Sequence, residues 1–273
     1  EPAAHLAYAR TIVRCGEEYL LRKELGIQRH LPAEVIFDKS QQDKFEVEIV
    51  AASKQTNSPE IGRWQKRGLL IFGGKTAPEK INPNDLVDSS DQAAYLQALR
   101  YAGKTEEAIV LGEKFYESTA VLRQIALAYG EQNPRLGLDL AQHAVETSSR
   151  SPIGFAIGAK LADLSGEKGL AVDFLNEALE YYPDEPAWRS WLSNLLAGQK
   201  DYDNAAFHME EAISLQPDSP ANWESLGKLY ILTRQNNQAI HAFTKAVELN
   251  PQNPDTLLAL ATSYRASGDI DEA

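Results

Sequence analysis

The sequence predicts an all-α protein, a solenoid of helical hairpins that follows a divergent and mostly helical N-terminal part. Three observations support this fold class. Small and large apolar residues recur with a period of 34 residues in the C-terminal two-thirds of the chain. Within each period they lie three and four residues apart, as residues on one face of a helix do. A proline near the end of each clear period stops the second helix of the hairpin.

The composition is typical of a folded chain without a membrane span. The chain has 273 residues, of which 43% are hydrophobic and 24% charged, so it can bury a core. The longest apolar runs, such as Leu69 to Phe72, are too short to cross a bilayer, and we expect a soluble segment. The chain starts at Glu1 without an initiator methionine, so we expect a preceding segment that was cleaved or lies outside this sequence. The sequence does not identify the compartment.

The charge of the chain argues against a nucleic-acid partner. The net charge is −12. Residues 1–88 contain as many basic as acidic residues, so the whole acidic excess lies in residues 89–273. Because an acidic surface repels phosphate backbones, we expect no nucleic-acid binding.

Residues 1–88 form the divergent N-terminal part and contain two clear helix signals. Residues 5–25 are predicted to form an amphipathic helix. Another helix is predicted to begin at Ser58-Pro59-Glu60, where a capping serine precedes a proline, and to end at Gly73-Gly74. The stretch 73–91 is rich in Gly, Pro, Asn and Asp, and it predicts the boundary with the repeats.

One stretch of the N-terminal part, KFEVEIV at residues 44–50, is ambiguous. Phe45, Val47 and Ile49 alternate with charged residues as in a strand. In contrast, Phe45, Ile49 and Ala52 suit one face of a helix. No partner strand is evident in the sequence, so we favour a helix and keep the strand as the alternative.

The repeat is clearest in residues 220–253, with Pro220 counted as position 1. Trp223, Leu226, Gly227 and Tyr230 share one face of the first helix. Positions 20, 24 and 27 of the second helix and the closing proline at position 32 recur in three successive units without a change of register. They are Ala171, Leu175, Ala178 and Pro183, then Ala205, Met209, Ala212 and Pro217, then Ala239, Phe243, Ala246 and Pro251.

The sizes of these residues explain how the helices pack. Small residues at positions 8, 20 and 27 let two helices approach closely, and large residues at positions 4, 11 and 24 fill the remaining space. One hairpin cannot bury both of its faces, so successive hairpins must stack on one another.

This pattern resembles the tetratricopeptide repeat family, which shares the 34-residue period and this order of large and small residues. The resemblance covers about 89–273, with two divergent units at its start. It implies a right-handed superhelix of about five units and a half unit. The predicted units are 89–117, 118–151, 152–185, 186–219, 220–253 and the partial unit 254–273.

The sequence contains no pattern that indicates catalysis. None of the five histidines has a neighbour at metal-ligand spacing, and no HExxH or GxSxG motif occurs. Cys15 is the only cysteine, which excludes an internal disulfide and a cysteine-based zinc site. Gly73-Gly74-Lys75-Thr76 lacks the first glycine of a phosphate-binding loop. We therefore expect no enzyme activity, no metal and no cofactor.

The resemblance implies that the protein is an interaction scaffold or adaptor that captures a peptide or helix of a partner in the concave groove. The first helices line such a groove, mainly through positions 2, 5, 9 and 12. The resulting candidate groove residues are Lys160, Ser190, Asn194, Glu224, Lys228, Leu258, Thr262 and Arg265. The clamp for acidic chaperone tails is not expected, because Ser225 and Asp255 stand where that subgroup needs Asn and Lys.

Two alternatives to the scaffold hypothesis remain open at the level of sequence. The repeats are compatible with a docking arm of a larger enzyme or membrane-associated assembly whose active part lies outside this segment. They are also compatible with a structural oligomer in which the N-terminal part mediates self-association. The identity of the partner cannot be predicted from the residues.

Overall fold

The computed structural model describes residues 2–25, 39–55, 58–86, 88–115, 118–147 and 151–267. Within these ranges all regular structure is helical and no β-strand occurs, so the predicted all-α fold class is confirmed. The chain forms two compact units. Unit 1 comprises the described residues up to Glu167, and unit 2 comprises those from Lys168 onward.

Unit 1 contains eight α-helices within the described ranges. They are α1 Pro2–Glu24, α2 Lys39–Gln55, α3 Pro59–Phe72, α4 Ser89–Tyr101, α5 Thr105–Gly112, α6 Thr119–Gln132, α7 Pro134–Thr147 and α8 Pro152–Leu164. Short 3₁₀ helices occupy Gly74–Thr76, Pro78–Lys80 and Pro83–Asp85 between α3 and α4, and Glu113–Phe115 after α5.

Unit 2 contains six α-helices within its described residues. They are α9 Lys168–Tyr181, α10 Pro186–Gly198, α11 Tyr202–Leu215, α12 Pro220–Leu232, α13 Asn236–Leu249 and α14 Pro254–Ser267. Three of them, α10, α12 and α14, are first helices of the repeat pattern, and α9, α11 and α13 are second helices.

The first three helices share a hydrophobic core. The ambiguous stretch 44–50 lies inside α2 and is helical, so the strand alternative is wrong. Phe45, Ile49 and Ala52 are buried against α1 and α3, whereas Val47 is 66% exposed, because a helix turns it away from the other two. Helix α3 begins at the Ser58 cap and ends before Gly73, as predicted.

The segment between α3 and α4 packs onto the helices that follow it. Ile81 and Leu86 are buried together with Leu96 and Leu99 of α4 in a second hydrophobic cluster. The hydroxyl group of Tyr95 donates a hydrogen bond of 3.2 Å to the carbonyl oxygen of Pro78. A continuous core therefore joins this segment to the helices of the repeats within unit 1.

The hairpins of unit 2 have the packing that the residue sizes predict. The alanines at positions 20 and 27 of α9, α11 and α13 are at most 1% exposed: Ala171, Ala178, Ala205, Ala212, Ala239 and Ala246. A Cβ atom added to Gly227 would lie 2.7 Å from the ring of Phe243. The glycine at position 8 is therefore required by the close approach of α12 and α13.

The turns that follow α4, α8, α10 and α12 repeat one backbone conformation. Gly103, Gly166, Lys200 and Arg234 all have positive φ angles, of 77°, 84°, 67° and 61°. The last three lie 34 residues apart. A residue in the left-handed backbone conformation therefore follows each of these first helices, whether or not that residue is a glycine.

Candidate functional site

The candidate site in unit 2 is the face formed by α10, α12 and α14, which we call the first-helix face. Of the groove residues predicted there, five are exposed: Asn194, Lys228, Leu258, Thr262 and Arg265. Ser190 and Glu224 are half-buried. The predicted residues therefore divide into an exposed set, which can meet a partner, and a set that faces the neighbouring helix.

Ser190 and Glu224 connect successive first helices. The hydroxyl of Ser190 in α10 lies 3.2 Å from the Asn222 Oδ1 atom in α12 and donates a hydrogen bond to it. Glu224 accepts a hydrogen bond of 3.2 Å from the hydroxyl of Thr256 in α14. Both side chains therefore join repeats to one another.

Lys228 is tied to Glu224 on its own helix. Lys228 Nζ donates a hydrogen bond of 2.5 Å to Glu224 Oε1, one turn earlier in α12. This bond lowers the pKa of Glu224, and the Thr256 hydroxyl also lowers it against the opposing effect of burial. The side chain of Lys228 remains 62% exposed, so its ammonium group can still meet a partner.

An open apolar cavity of about 440 Å³ lies on the first-helix face between α12 and α14. Lys228 and Thr262, both predicted groove residues, stand on its lining. Most of the remaining lining is apolar and includes Ile231, Leu232, Phe243, Ala259 and Ala266. The cavity can therefore take an apolar side chain whose neighbour is acidic or polar.

The exposed residues Asn194, Leu258 and Arg265 lie outside the lining of this cavity. Leu258 is 66% exposed and presents a large apolar side chain to solvent. The Thr262 hydroxyl donates to carbonyl oxygens of its own helix, at 2.5 Å from Leu258 and 3.0 Å from Ala259. Leu232, Ala259 and Ala266 were not predicted as site residues, because they lie outside positions 2, 5, 9 and 12 of their units.

Lys160 lies in unit 1, and its side chain is already paired. Lys160 Nζ lies 3.3 Å from Glu24 Oε1 at the end of α1. The pair joins residues 136 positions apart in the sequence. The side chain of Lys160 is therefore paired with α1.

The C-terminal half of α1 covers the first helices of unit 1. Glu17 forms an ion pair with Arg67 of α3, and Glu24 accepts a hydrogen bond of 2.5 Å from Arg100 of α4. The Tyr101 hydroxyl also donates a hydrogen bond of 3.2 Å to the carbonyl oxygen of Leu20. Since Glu24 reaches Lys160 of α8 as well, α1 lies where a bound segment would otherwise contact α4 and α8.

Electrostatics hold the end of α1 in place. Burial raises the pKa of Glu24, but Arg100 and Lys160 outweigh it, so the pKa of Glu24 is lowered overall. Burial raises the pKa of Glu17 despite the nearby Arg67. The surroundings of Glu24 therefore favour its ionised form, whereas the burial of Glu17 disfavours ionisation.

A second apolar cavity of unit 2, of about 480 Å³, lies on the face of the second helices. Ile213, Trp223, Tyr230 and His241 contribute to its lining. Tyr230 donates a hydrogen bond of 2.6 Å to Glu210, and burial together with this bond raises the pKa of Tyr230. This cavity provides the natural comparison for any test of the first-helix face.

The described residues contain no constellation typical of a metal site. Within them, no three His, Cys, Asp or Glu side chains are grouped so that they could hold a metal ion. None of the helices in this part of the chain combines the length and the hydropathy that a membrane span requires.

Comparison with known families and structures agrees with the helical repeat. The family model described as tetratricopeptide repeat matches residues 165–220. The model described as anaphase-promoting complex, cyclosome, subunit 3 matches residues 198–273. The solved structure of YrrB, described as a TPR protein with an unusual peptide-binding site, is similar with a TM-score of 0.58 and 16% identity, over 68% of this chain and 98% of YrrB. Residues 165–220 thus match the tetratricopeptide repeat family, and the chain has the fold of a tetratricopeptide repeat solenoid.

Two further structures have the same tetratricopeptide repeat fold. MamA has a TM-score of 0.55 and 19% identity, over 60% of this chain and 92% of MamA. A MamA fragment from Desulfovibrio magneticus RS-1 has a TM-score of 0.55 and 15% identity, over 61% of this chain and 97% of the fragment. At these identities the similarity shows the fold alone. No curated protein sequence matches this chain.

Proposed function

We propose that this protein is an interaction scaffold that captures a peptide or helix of a partner on the first-helix face of unit 2. The observation that carries the proposal is the open apolar cavity between α12 and α14, with Lys228 on its lining. The partner segment would place an apolar side chain in this cavity and an acidic or polar group beside Lys228. YrrB is described as having a peptide-binding site, which supports peptide capture as the mode to test.

The contrast between the units strengthens the choice of unit 2. In unit 1, Glu17, Leu20 and Glu24 of α1 already contact the helices that would form the equivalent face. In unit 2, Lys228 and Leu258 on that face are 62% and 66% exposed. A helix-in-groove contact needs such exposed anchors beside an apolar depression.

The test is affinity capture with the intact protein, followed by quantitative mass spectrometry of the captured proteins. Ile231→Asp places a carboxylate at the cavity and should abolish specific capture. Its control is Leu215→Asp at the end of the second helix α11, because Ile231 and Leu215 are 39% and 40% exposed. Both variants should keep the melting temperature of the wild type, since each changes a surface residue.

A second pair of variants tests the polar residues of the same face. The double change Asn194→Ala and Lys228→Ala should weaken capture, because a hydrogen bond to a charged group is worth about 1.5–3 kcal/mol. The matched control is Asn237→Ala with Lys245→Ala on α13. If the α11 and α13 variants lose the partner while the first-helix variants retain it, the partner binds the second helices and the proposal fails.

Self-association through the N-terminal helices is a second candidate. It rests on the exposed apolar side chains Tyr8, Val47 and Val50, which are 50%, 66% and 45% exposed on α1 and α2. Light scattering of the intact protein should then give a multiple of the chain mass, and Val47→Lys should return the monomer. A monomeric wild type at every concentration would exclude this candidate.

A further inference from the structure

A cavity of unit 1 contains more basic than acidic side chains. It has a volume of about 430 Å³ and lies between α1, α3, α4 and α6. The guanidinium groups of Arg14, Arg67 and Arg123 line it, together with the carboxylate of Glu17. Three cations thus surround one anion on the lining.

Arg67 uses its donors within the protein. Its Nε atom donates a hydrogen bond of 2.7 Å to Glu17, and its Nη2 atom donates one to the other oxygen of the same carboxylate. Its Nη1 atom donates hydrogen bonds of 2.8 Å to the Ser90 hydroxyl and to Asp91 Oδ1. Arg63 Nε also lies 2.7 Å from Asp91, so Arg67 and Arg63 together balance the charges of Glu17 and Asp91.

Arg123 has no such partner among the described residues. Its Nε atom is buried and meets no hydrogen-bond acceptor there. Burial lowers the pKa of Arg123, and within the described part of the chain no carboxylate offsets this effect. An arginine nevertheless stays protonated in a protein, so a half-buried cation that lacks a counter-ion among the described residues faces the cavity.

The surroundings of Arg123 add further positive potential. A Cβ atom added to Gly154 would lie 3.7 Å from Arg123 Nη2, which places the guanidinium beside the first turn of α8. That turn contains no acidic residue, and the N-terminal end of a helix carries partial positive charge. Arg14 is exposed and its guanidinium lies 5.3 Å from the centre of the Trp64 ring.

The rest of the lining combines a hydrogen-bond donor with apolar surface. The carbonyl oxygen of the Gln124 side chain accepts 2.9 Å from Arg100, so its amide NH₂ group remains as a donor. Leu21, Ala93 and Ala120 provide apolar surface. Because α1 covers this face, a continuous partner segment cannot lie along it, but the volume suits a small molecule.

We propose that this cavity binds a small organic carboxylate. The carboxylate group would lie between the guanidinium groups of Arg123 and Arg14, whose planar fork matches two oxygens. The apolar body of the ligand would contact Leu21, Ala93 and Ala120. This site belongs to unit 1, and it is independent of the partner site proposed for unit 2.

The test is isothermal titration calorimetry of the intact protein with 4-methylpentanoate, its neutral amide and inorganic phosphate. The carboxylate should bind, and the amide should bind at least about tenfold more weakly, since a bond to a charged group is lost. Arg123→Gln should weaken carboxylate binding by a similar factor. Arg135→Gln, an exposed arginine of α7 outside this cavity, should leave it unchanged.

A second variant keeps the proposal testable if Arg123→Gln fails to fold. Ala120 is exposed at the cavity, so Ala120→Glu can supply a carboxylate from the chain itself. It should raise the melting temperature and prevent binding of 4-methylpentanoate. Equal binding of the acid and the amide, binding of phosphate alone, or undiminished binding by both variants would overturn the proposal.

Discussion

Glu24 and Arg100 form a buried ion pair between the end of α1 and the last turn of α4. Glu24 Oε1 accepts a hydrogen bond of 2.5 Å from Arg100 Nη2. The two side chains are only 14% and 3% exposed. The pair extends to Gln124 of α6 through Arg100 Nη1 at 2.9 Å and to Lys160 of α8 through Glu24 at 3.3 Å. One carboxylate thus links three repeats of unit 1 to α1.

Removing this carboxylate should destabilise the protein strongly. Glu24→Gln leaves the buried Arg100 without its main anion, and breaking one side of a buried pair costs about 3–5 kcal/mol. Urea unfolding measures the change. The control is Glu106→Gln at an exposed position of α5, which should change the free energy of unfolding by less than about 0.5 kcal/mol.

The contribution of Glu24 should also depend on pH with a defined sign. Its pKa is lowered in the folded state from an ordinary value of 4.5, so folding favours the ionised form. The stabilisation is therefore complete above pH 4.5 and is lost as the pH falls through the lowered folded pKa. The difference in unfolding free energy between wild type and Glu24→Gln should shrink on acidification below that pH. A difference that grows on acidification would contradict the assignment.

Two glycines of α3 should respond oppositely to the same substitution. A Cβ atom at Gly68 would lie 2.1 Å from the ring of Phe45, whereas one at Gly62 would meet nothing within 4 Å. Gly62→Ala should stabilise the protein by about 0.5–1 kcal/mol, because alanine favours the helix. Gly68→Ala should destabilise it by about 1–3 kcal/mol through overpacking. Thermal melts of both variants check the packing of α2 on α3.

The register of the repeats is tested at Ala239, which is fully buried at position 20. Ala239→Leu adds bulk where α13 meets α12 and should cost about 1–3 kcal/mol. Gln238→Leu at the preceding exposed position adds a similar side chain on the surface and should have little effect. Equal melting temperatures for the two variants would show that position 20 is not a helix contact.

The left-handed turn at Lys200 offers a stabilising change. Its φ angle of 67° disfavours any residue with a Cβ atom, and the related turns at Gly103 and Gly166 carry glycine. Lys200→Gly should stabilise the protein by about 0.5–1 kcal/mol. Gln199→Gly is the control, because Gln199 has a φ angle of −88° and gains nothing from glycine. Guanidinium unfolding of the two variants should give shifts of opposite sign.

The sequence predicts the helices of this protein better than its polar contacts. The 34-residue spacing predicts the buried alanines of α11 and α13, because packing of neighbouring helices repeats with the chain. The spacing of Phe45, Ile49 and Ala52 likewise predicts the helix at 44–50, and these three residues are buried on one helical face. Local periodicity is sufficient wherever the contact is between adjacent elements.

Contacts between distant elements leave no such signal. Lys160 is a predicted groove residue, and the sequence does not indicate its pairing with Glu24, which comes from a helix outside the periodic pattern. Ser190 and Glu224 bond to the next first helix, a distinction that depends on side-chain rotamers. Arg100, at position 12 of a first helix, was missed, although a basic residue at such an inward position could have suggested an acidic partner elsewhere.

The contact between Glu24 and Lys160 joins α1 and α8, the first and last helices of unit 1. Stacked repeats contact only their neighbours, and such arrays unfold piecewise like a one-dimensional chain. A contact across 136 residues instead closes a large loop, and its entropic cost is recovered only when α4, α6 and α8 are all in place. Unit 1 is therefore expected to unfold cooperatively, with native-state hydrogen exchange of those three helices proceeding through one opening. The hairpins of unit 2, whose described hydrogen bonds stay within a hairpin or join it to the next one, are free to open one at a time.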